Sequence, residues 1–247
     1  MSETWKHAIV VGASSGIGRA IAEDLIKRGV RTALIARRAE ELDKVKAASA
    51  KPENVLTYAH DVRHYNETEV LFQKITQELG GLDLIVYASG VMSAVDEHEY
   101  NFAKDLEMIE VNTLGAFAWL NEAAKRFERT KSGTIVGIGS VAGDRGRRGN
   151  PAYCTSKAAI GTYLEALRNR LSRFGVSVVT IKPGFVDTIM TKGKPGVFWV
   201  ISPKDAASQI LKAAKSGATV AYVPKRWRYV MAVIRSIPSF VFKRLPI

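Results

Sequence analysis

The amino-terminal stretch of residues 7–29 constrains the fold of this chain more than any other. Residues 7–11 (His-Ala-Ile-Val-Val) form an apolar, β-branched run that predicts a buried strand. A glycine turn follows, and then an amphipathic segment from Arg19 to Arg28, closed by Gly29. Glycine permits the tight turn, and the helix after it directs its free N–H groups at a pyrophosphate. The stretch therefore predicts dinucleotide binding rather than an ordinary strand–helix junction, through Gly12, Ser14, Ser15, Gly16, Ile17 and Gly18.

The rest of the chain alternates strand-like and helix-like segments. Further predicted strands cover residues 32–36, 55–59, 82–88, 133–139, 176–181 and 219–223. Predicted helices cover residues 39–50, 66–79, 101–127 (as one or two helices), 153–174 and 203–216. Glycine and proline interrupt residues 190–199, where we expect a mobile lid that mixes loop and short helix. The alternation predicts an α/β protein with a parallel sheet, and 247 residues, 47% of them hydrophobic, suffice for a single domain.

The end of the second strand indicates which dinucleotide would bind. An enzyme that uses NAD usually has an acid there, to bond the ribose 2′-hydroxyl. This chain has Arg37 and Arg38 instead, and guanidinium groups suit a 2′-phosphate; the alternative is a pair of solvated arginines at the start of a helix. Asp61 follows the third strand, at the sheet edge where adenine would lie. We therefore predict NADP(H) as the cofactor.

Tyr153 and Lys157 are four residues apart in helix-like sequence, which places both on one helix face. A cation beside a phenol stabilises the phenolate and lowers its pKa, as acid–base work at neutral pH requires. Ser140 ends an apolar β-like run and could offer its hydroxyl to the same substrate oxygen. The pattern by itself is also that of an ordinary helix with a half-buried tyrosine and a solvated lysine.

Charge and residue composition limit the classes of partner, metal and compartment that we expect for this protein. The net charge of +12 favours polyanions, but no helix-turn-helix, zinc finger or aromatic RNA platform accompanies it, so we expect no nucleic acid. The four histidines have no metal-ligand spacing, and no metal is predicted. A single cysteine, Cys154, suits a reducing compartment, and residues 1–6 lack the features of a signal peptide. We expect a cytoplasmic protein.

Residues 224–247 form a basic, aromatic-rich amphipathic tail after the last predicted strand. The tail is too interrupted to span a bilayer but resembles segments that lie in a membrane interface. It could instead pack on a partner subunit or close the substrate pocket. Residues 145–148 (Arg-Gly-Arg-Arg) lie between Ser140 and Tyr153 in sequence, and they either rim the pocket or are solvated loop arginines.

The chain resembles the short-chain dehydrogenase/reductase family over essentially its whole length. The matching elements occur in the family's order: Gly12-x-x-x-Gly16-Ile17-Gly18, Asp61-Val62, Asn112, Ser140, Tyr153-x-x-x-Lys157 and Pro183-Gly184. Two departures are Val11, where the family has threonine, and residues 87–90 (Tyr-Ala-Ser-Gly), where it has Asn-Asn-Ala-Gly. The resemblance implies a Rossmann-like, doubly wound sheet of seven strands, with residues 1–223 as the NADP-binding and catalytic domain and residues 224–247 as its tail.

The resemblance also implies residue roles. Ser140 would polarise the carbonyl, Tyr153 would exchange the proton, and Lys157 would lower the pKa of Tyr153 and bind ribose. Asn112 would hold a water that links Lys157 to solvent. Asp61 would meet adenine, and backbone at Val186 the nicotinamide carboxamide. The remaining implied cofactor contacts are Val62, Gly90, Pro183, Gly184 and Thr188.

We therefore predict an oxidoreductase that transfers a hydride between NADP(H) and a small carbonyl or secondary alcohol substrate, in the direction of ketone reduction, assembled as a homodimer or homotetramer. Details of the site and the tail resemble a bacterial subgroup that includes proteins similar to the reductase component of decaprenylphosphoryl-ribose 2′-epimerase. An apolar or lipid-linked substrate is therefore an alternative, with the ketone carried on a lipid-linked sugar phosphate. From its composition, the tail is a candidate contact with the inner face of the membrane. A nucleotide-binding or scaffold protein without turnover is the non-enzymatic alternative.

Overall fold

A computed structural model describes residues 5–193 and 196–245. Residues 1–4, the pair 194–195 inside the predicted lid and residues 246–247 at the end of the tail lie outside it. Seven parallel strands form one sheet in the order β3-β2-β1-β4-β5-β6-β7. The strands are β1 His7–Val11, β2 Arg31–Ala36, β3 Val55–Ala59, β4 Leu84–Tyr87, β5 Gly133–Ile138, β6 Val176–Pro183 and β7 Val220–Val223. The predicted seven-stranded, Rossmann-like parallel sheet is confirmed.

Helices cover both faces of the sheet. They are α1 Gly16–Lys27, α2 Ala39–Ala47, α3 Thr68–Leu79, α4 Phe102–Ile109, α5 Gly115–Thr130, α6 Pro151–Leu171, α7 Pro203–Lys215, α8 Trp227–Ser236 and α9 Ser239–Phe242. Side chains of α1, α2 and α7 pack on one face and those of α3, α5 and α6 on the other. Because both faces are covered, the strands are buried runs rather than alternating ones.

Several boundaries differ from the predictions. Helix α1 begins at Gly16 rather than Arg19, because Ser15 is its extended amino-terminal cap residue. Strand β4 is shorter than the predicted 82–88, and β6 continues to Pro183. The predicted segment 101–127 is two helices, separated by a π-helical turn at Glu110–Leu114. The described residues of 190–199 contain turns and no helix, unlike the expected short helix.

Candidate active site

The topology collects the predicted residues at one edge of the sheet. Strand β1 pairs with β2 on one side and with β4 on the other. The chain order therefore reverses between β1 and β4, and the carboxyl ends of these strands open a crevice there, the usual ligand site of such sheets. The glycine turn after β1, Gly90 after β4, Ser140 after β5 and Gly184 after β6 all lie at this edge.

The glycine turn leaves no room for side chains. Gly12 has φ +91°, and a Cβ there would lie 2.5 Å from the backbone nitrogen of Ser89. A Cβ on Gly18 would lie 2.2 Å from the carbonyl oxygen of Gly12. The first glycine therefore allows β1 to pass close to the end of β4, and the last allows α1 to pack on the turn.

The two arginines after β2 take different positions. The Nη2 of Arg38 donates to Ser14 Oγ at 2.9 Å and to Ser15 Oγ at 3.0 Å, which places its guanidinium over the glycine turn. Arg37 is exposed, and its charge contributes to lowering the pKa of Asp61. Arg38 is therefore the arginine placed beside the turn, while Arg37 lies towards β3.

A cleft of about 500 Å³ opens between the glycine turn and the segment after β6. It is lined by Ser14, Ser15, Gly16, Arg19, Arg38, Glu41, Asp187, Thr188, Ile189, Lys192 and Pro203. Sequence reasoning missed Arg19 and Lys192, because nothing local relates the first turn of α1 to the lid segment. Three cations around a glycine turn that has no room for side chains fit the phosphates of a dinucleotide.

Asp61 and Val62 follow β3 at the same edge. Arg63 donates to both carboxylate oxygens of Asp61, its Nη2 at 2.7 Å, and these bonds lower the pKa of Asp61 to about 2. Val62 is buried, and a Cβ on Gly115 would lie 2.9 Å from its Cβ. Asp61 is thus a fixed anion at the position predicted for adenine, and Val62 packs under the start of α5.

Ser140 and Tyr153 meet where β5 and α6 converge. Ser140 accepts from the backbone of Ala142 at 3.0 Å and starts a 3₁₀ turn at Val141–Asp144. Asn150 caps α6 by accepting from the backbone of Tyr153 at 3.1 Å. The Ser140 hydroxyl acts on the phenol of Tyr153 and favours a lower pKa for it. The hydroxyl pair that carbonyl chemistry needs is therefore in place.

The pKa of Tyr153 has opposing influences. Burial is the largest influence and raises the pKa of the phenol, while the Ser140 hydroxyl and the charge of Arg147 act in the opposite direction without offsetting it. The sequence assigned the lowering to Lys157, whose Nζ lies 5.8 Å from the centre of the Tyr153 ring. Lys157 is buried, donates to the carbonyl of Ile138 at 3.1 Å, and burial lowers its own pKa to about 8.

Asn112 lies in the π-helical turn and is buried. Its Oδ1 accepts from Val91 N at 2.8 Å, and its Nδ2 donates to Val91 O at 2.9 Å and to Ser156 Oγ at 3.0 Å. A Cβ on Gly90 would lie 3.2 Å from Asn112 Oδ1 and 3.3 Å from Lys157 Nζ. Asn112 therefore fixes the chain after β4 against α6, and its water-linking role remains a prediction.

Tyr87 begins the stretch in which this chain departs from the Asn-Asn-Ala-Gly of the family. The buried hydroxyl of Tyr87 donates to the carbonyl of Val111 at 2.6 Å. A Cβ on Gly115 would lie 2.7 Å from that hydroxyl, so the glycine makes room for it. Tyr87 thus ties the end of β4 to the turn that carries Asn112.

The segment after β6 carries the last predicted cofactor contacts. Pro183 ends the strand, and a Cβ on Gly184 would lie 1.9 Å from Trp227 Nε1. Val186 is buried and bridges Ile201, while the methyl of Thr188 would lie 3.2 Å from a Cβ on Gly16. Thr188 therefore reaches the glycine turn, and the absence of a side chain at Gly184 accommodates the tail.

The tail packs behind the site. Trp227 and Met231 of α8 are buried against Val141, which follows Ser140. Arg145 Nη1 donates to the carbonyls of Ile234 and Ile237, each at 2.6 Å, so the solvated reading is wrong for this arginine. The opposite side of the tail is exposed, including Tyr229, Val233 and Phe240.

An ion-paired network that sequence reasoning missed fixes the loop after Ser140. Asp144 accepts from the ammonium of Lys182 on β6 and from the hydroxyl of Tyr222 on β7, the latter at 2.7 Å. Burial and the hydrogen bond to Asp144 raise the pKa of Tyr222 to about 12. Because these residues are distant in sequence, no local pattern could have indicated the contact.

Comparison with known proteins decides the family. The family model described as short chain dehydrogenase matches residues 6–195. The chain belongs to this family. Membership makes it an oxidoreductase of the short-chain type, and the predicted resemblance to the family is confirmed.

Individual relatives agree with the assignment to an oxidoreductase family. An uncharacterised oxidoreductase of Myxococcus xanthus is 36% identical over 192 residues, covering 76% of this chain and 75% of the relative. An uncharacterised oxidoreductase of Staphylococcus aureus is 32% identical over 211 residues, covering 85% and 91%. The structure of ElxO with NADP bound shares the fold with a TM-score of 0.80 at 21% identity, covering 90% of this chain and 99% of that one. None of these names specifies a substrate, so the resemblance to the epimerase-reductase subgroup stays a prediction.

The described part of the chain contains neither a membrane-spanning helix nor a cluster of metal-binding side chains. No helix within 5–193 and 196–245 combines the length and apolar content needed to cross a bilayer. Within the same ranges, no three histidine, cysteine or acidic side chains come close enough together to hold a metal ion.

Proposed function

We propose that this protein reduces a ketone to a secondary alcohol with NADPH. The observation that carries the proposal is the meeting of Ser140, Tyr153 and Lys157 beside a cleft that fits a phosphorylated dinucleotide. The hydroxyls of Ser140 and Tyr153 would bind the carbonyl oxygen from two directions and polarise it. NADPH, when bound, supplies the hydride that adds to the carbonyl carbon.

The chain's own residues handle the proton. The Tyr153 hydroxyl gives its proton to the carbonyl oxygen, so the product carries a new O–H bond and Tyr153 is left as phenolate. Ser140 would donate to that phenolate and the charge of Arg147 would stabilise it, with the Lys157 ammonium 5.8 Å from the centre of the ring as a further cation. Asn112 would hold the backbone at Gly90 close to Lys157, because its amide hydrogen-bonds the neighbours of both residues, Val91 and Ser156.

The proposed preference for NADP(H) over NAD(H) depends on Arg38. Its guanidinium lies at the glycine turn, where the 2′-phosphate of the adenosine ribose would approach. No acid occupies the end of β2. ElxO, which shares this fold, has been crystallised with NADP bound.

We also propose that the protein assembles as a homodimer or homotetramer. Phe102 and Leu106 on α4 and Leu114 at the end of the π-helical turn are exposed apolar side chains, 78%, 42% and 40% accessible. Large apolar side chains grouped on one helical surface are typical of a subunit contact. Sedimentation of a Phe102→Ser/Leu106→Ser variant tests the proposal, which fails if the wild type is a monomer at micromolar concentration.

The exposed side of the tail supports a further proposal, contact with the inner face of a membrane. Tyr229, Val233 and Phe240 are 74%, 64% and 64% accessible, among basic residues. Such a surface would gain from apolar insertion and from anionic lipid. Flotation with anionic liposomes, with Tyr229→Ser/Val233→Ser as the matched variant, should show binding that weakens with salt. Equal flotation of both proteins would reject the contact. A lipid-linked sugar phosphate is the narrower substrate proposed with it.

The central experiment is NADPH oxidation over a panel of ketones. The wild type should turn over, and Tyr153→Phe should lose at least about a hundredfold in kcat, because only the transferable proton is removed. NADPH affinity should stay within about threefold, because the variant changes no group that lines the phosphate cleft. A variant as active as the wild type would refute the mechanism, and NADPH binding without turnover of any ketone would favour a nucleotide-binding protein.

A further inference from the structure

The loop that joins Ser140 to α6 contains three arginines, and two of them already have oxygen acceptors. Arg145 donates to the carbonyls of Ile234 and Ile237. Arg148 pairs with Glu97 at 3.0 Å and donates to the carbonyl of Leu245 at 3.1 Å. Both arginines therefore bind parts of this chain.

Arg147 differs from its two neighbours. Among residues 5–193 and 196–245, its buried Nε has no hydrogen-bond partner, and its Nη2 donates to the sulfur of Met231 at 3.8 Å. No carboxylate in those ranges forms an ion pair with it. Thioether sulfur is a weak acceptor, and a partly buried cation without a counter-charge is costly for the fold. Such an arginine is well suited to bind a ligand oxyanion.

The position of Arg147 relates it to the reaction centre. Arg147 acts to lower the pKa values of the Cys154 thiol, the residue after Tyr153, and of the Tyr153 phenol, both of which burial raises. The tail residue that its guanidinium contacts, Met231, also packs against Val141, the residue after Ser140. The guanidinium therefore lies within electrostatic reach of the atom that would transfer the proton.

A second cleft, of about 330 Å³, lies on the tail side of Arg147. It is lined by Gly146, Arg147, Arg148, Phe242, Lys243 and Leu245. The cationic residues would attract an anion, and the side chains of Phe242 and Leu245 give the cleft an apolar wall. The cleft beside the glycine turn shares none of these residues.

We propose that Arg147 binds an oxyanion, a phosphate or a carboxylate, that the carbonyl substrate carries. The inference rests on the ketone reduction proposed above and narrows its substrate class to anionic carbonyl compounds. The guanidinium would orient the substrate so that its carbonyl faces Ser140 and Tyr153. The tail, whose Met231 contacts Arg147, becomes one side of the substrate site.

A binding measurement tests the site without requiring turnover. Phenyl phosphate, benzoate and phenol are titrated calorimetrically into the wild type, Arg147→Met and Arg147→Lys, with and without NADP⁺. Arg129→Ala, an exposed arginine of α5, is the control. We expect Arg147→Met to weaken binding of an anion at least about tenfold, with partial recovery in Arg147→Lys and no change in the control. Tighter binding of phenyl phosphate than of benzoate would assign the oxyanion as phosphate, and the reverse as carboxylate.

A kinetic measurement then connects the site to the reaction. NADPH oxidation is compared for acetoacetate and its methyl ester, and for dihydroxyacetone phosphate and dihydroxyacetone. Arg147→Met should lower kcat/KM for the anionic member of a pair at least about tenfold more than for the neutral member. Equal anion affinity in the wild type and Arg147→Met, with both proteins folded by thermal melting, would overturn the proposal. Arg147-dependent binding without oxidation of NADPH by any ketone would instead refute the proposed reduction and leave the anion site standing.

Discussion

Replacement of Lys157 by methionine should make the protein more stable near neutral pH while it removes catalysis. Lys157 is 7% exposed, and burial lowers the pKa of its ammonium from 10.5 to about 8. At about 1.4 kcal/mol for each tenfold change, keeping this ammonium charged inside the fold costs about 3 kcal/mol at neutral pH. Methionine has nearly the same length and carries no charge, so this cost disappears in the variant.

The pH dependence separates this cost from other effects of the substitution. Below pH 8 both the folded and the unfolded state hold the proton on Lys157, and the full cost applies. Between the folded and unfolded pKa values the unfolded state binds more protons, so the stability of the wild type rises with pH. The variant lacks this contribution. The wild type should therefore gain about 2 kcal/mol relative to Lys157→Met between pH 7 and pH 9.5.

Urea unfolding of the cofactor-free proteins, followed by circular dichroism at both pH values, measures this difference. The hydrogen bond from Lys157 to the carbonyl of Ile138 contributes little to the pH dependence of this stability difference, because a neutral amine can still donate it. Lys204→Met is the matched control: its ammonium is exposed to water in the folded protein, so its pH-dependent difference should be much smaller. If the unfolding free energy of the wild type relative to Lys157→Met is the same at both pH values, or falls as pH rises, the conclusion that burial destabilises the charged ammonium is refuted.

Three further predictions follow from the geometry. Arg38→Ala should raise the KM for NADPH at least about tenfold more than the KM for NADH, whereas Arg37→Ala should change the ratio little, and equal effects would contradict the placement of the 2′-phosphate. Gly12→Ala should lower the unfolding free energy by about 2 kcal/mol or more in urea titrations, because φ is +91° and the new Cβ would overlap backbone; an unchanged midpoint would contradict this. Truncation after Pro224 should lower both the melting temperature and kcat/KM, because it removes the buried residues of α8. Truncation after Ser236 keeps α8 and should lower both quantities less. Equal losses in the two variants would show that α9, not α8, is responsible.

The sequence alone determined the fold class and the family. Apolar runs at strand length, separated by helix-length segments, are local patterns, and they predicted all seven strands of the parallel sheet. The glycine spacing after β1 and the spacing of Tyr153 and Lys157 are equally local, because both depend on turn and helix geometry that neighbouring residues fix. Helix and strand ends were less accurate, since a cap such as Ser15 or a π-helical turn depends on a few atoms rather than on periodicity.

The surroundings of these residues were decided by contacts between distant parts of the chain. The sequence could not predict that Tyr87 donates to the carbonyl of Val111 or that Trp227 lies against Gly184. Nor could it predict that Asp144 accepts from Lys182 and Tyr222. In each case the partners are separated by many residues in the chain. It also treated residues 145–148 as one basic stretch. Only the folded chain gives Arg145 and Arg148 oxygen acceptors and leaves Arg147 facing a cleft, because the position of the tail, not the local sequence, determines which guanidinium meets a carbonyl.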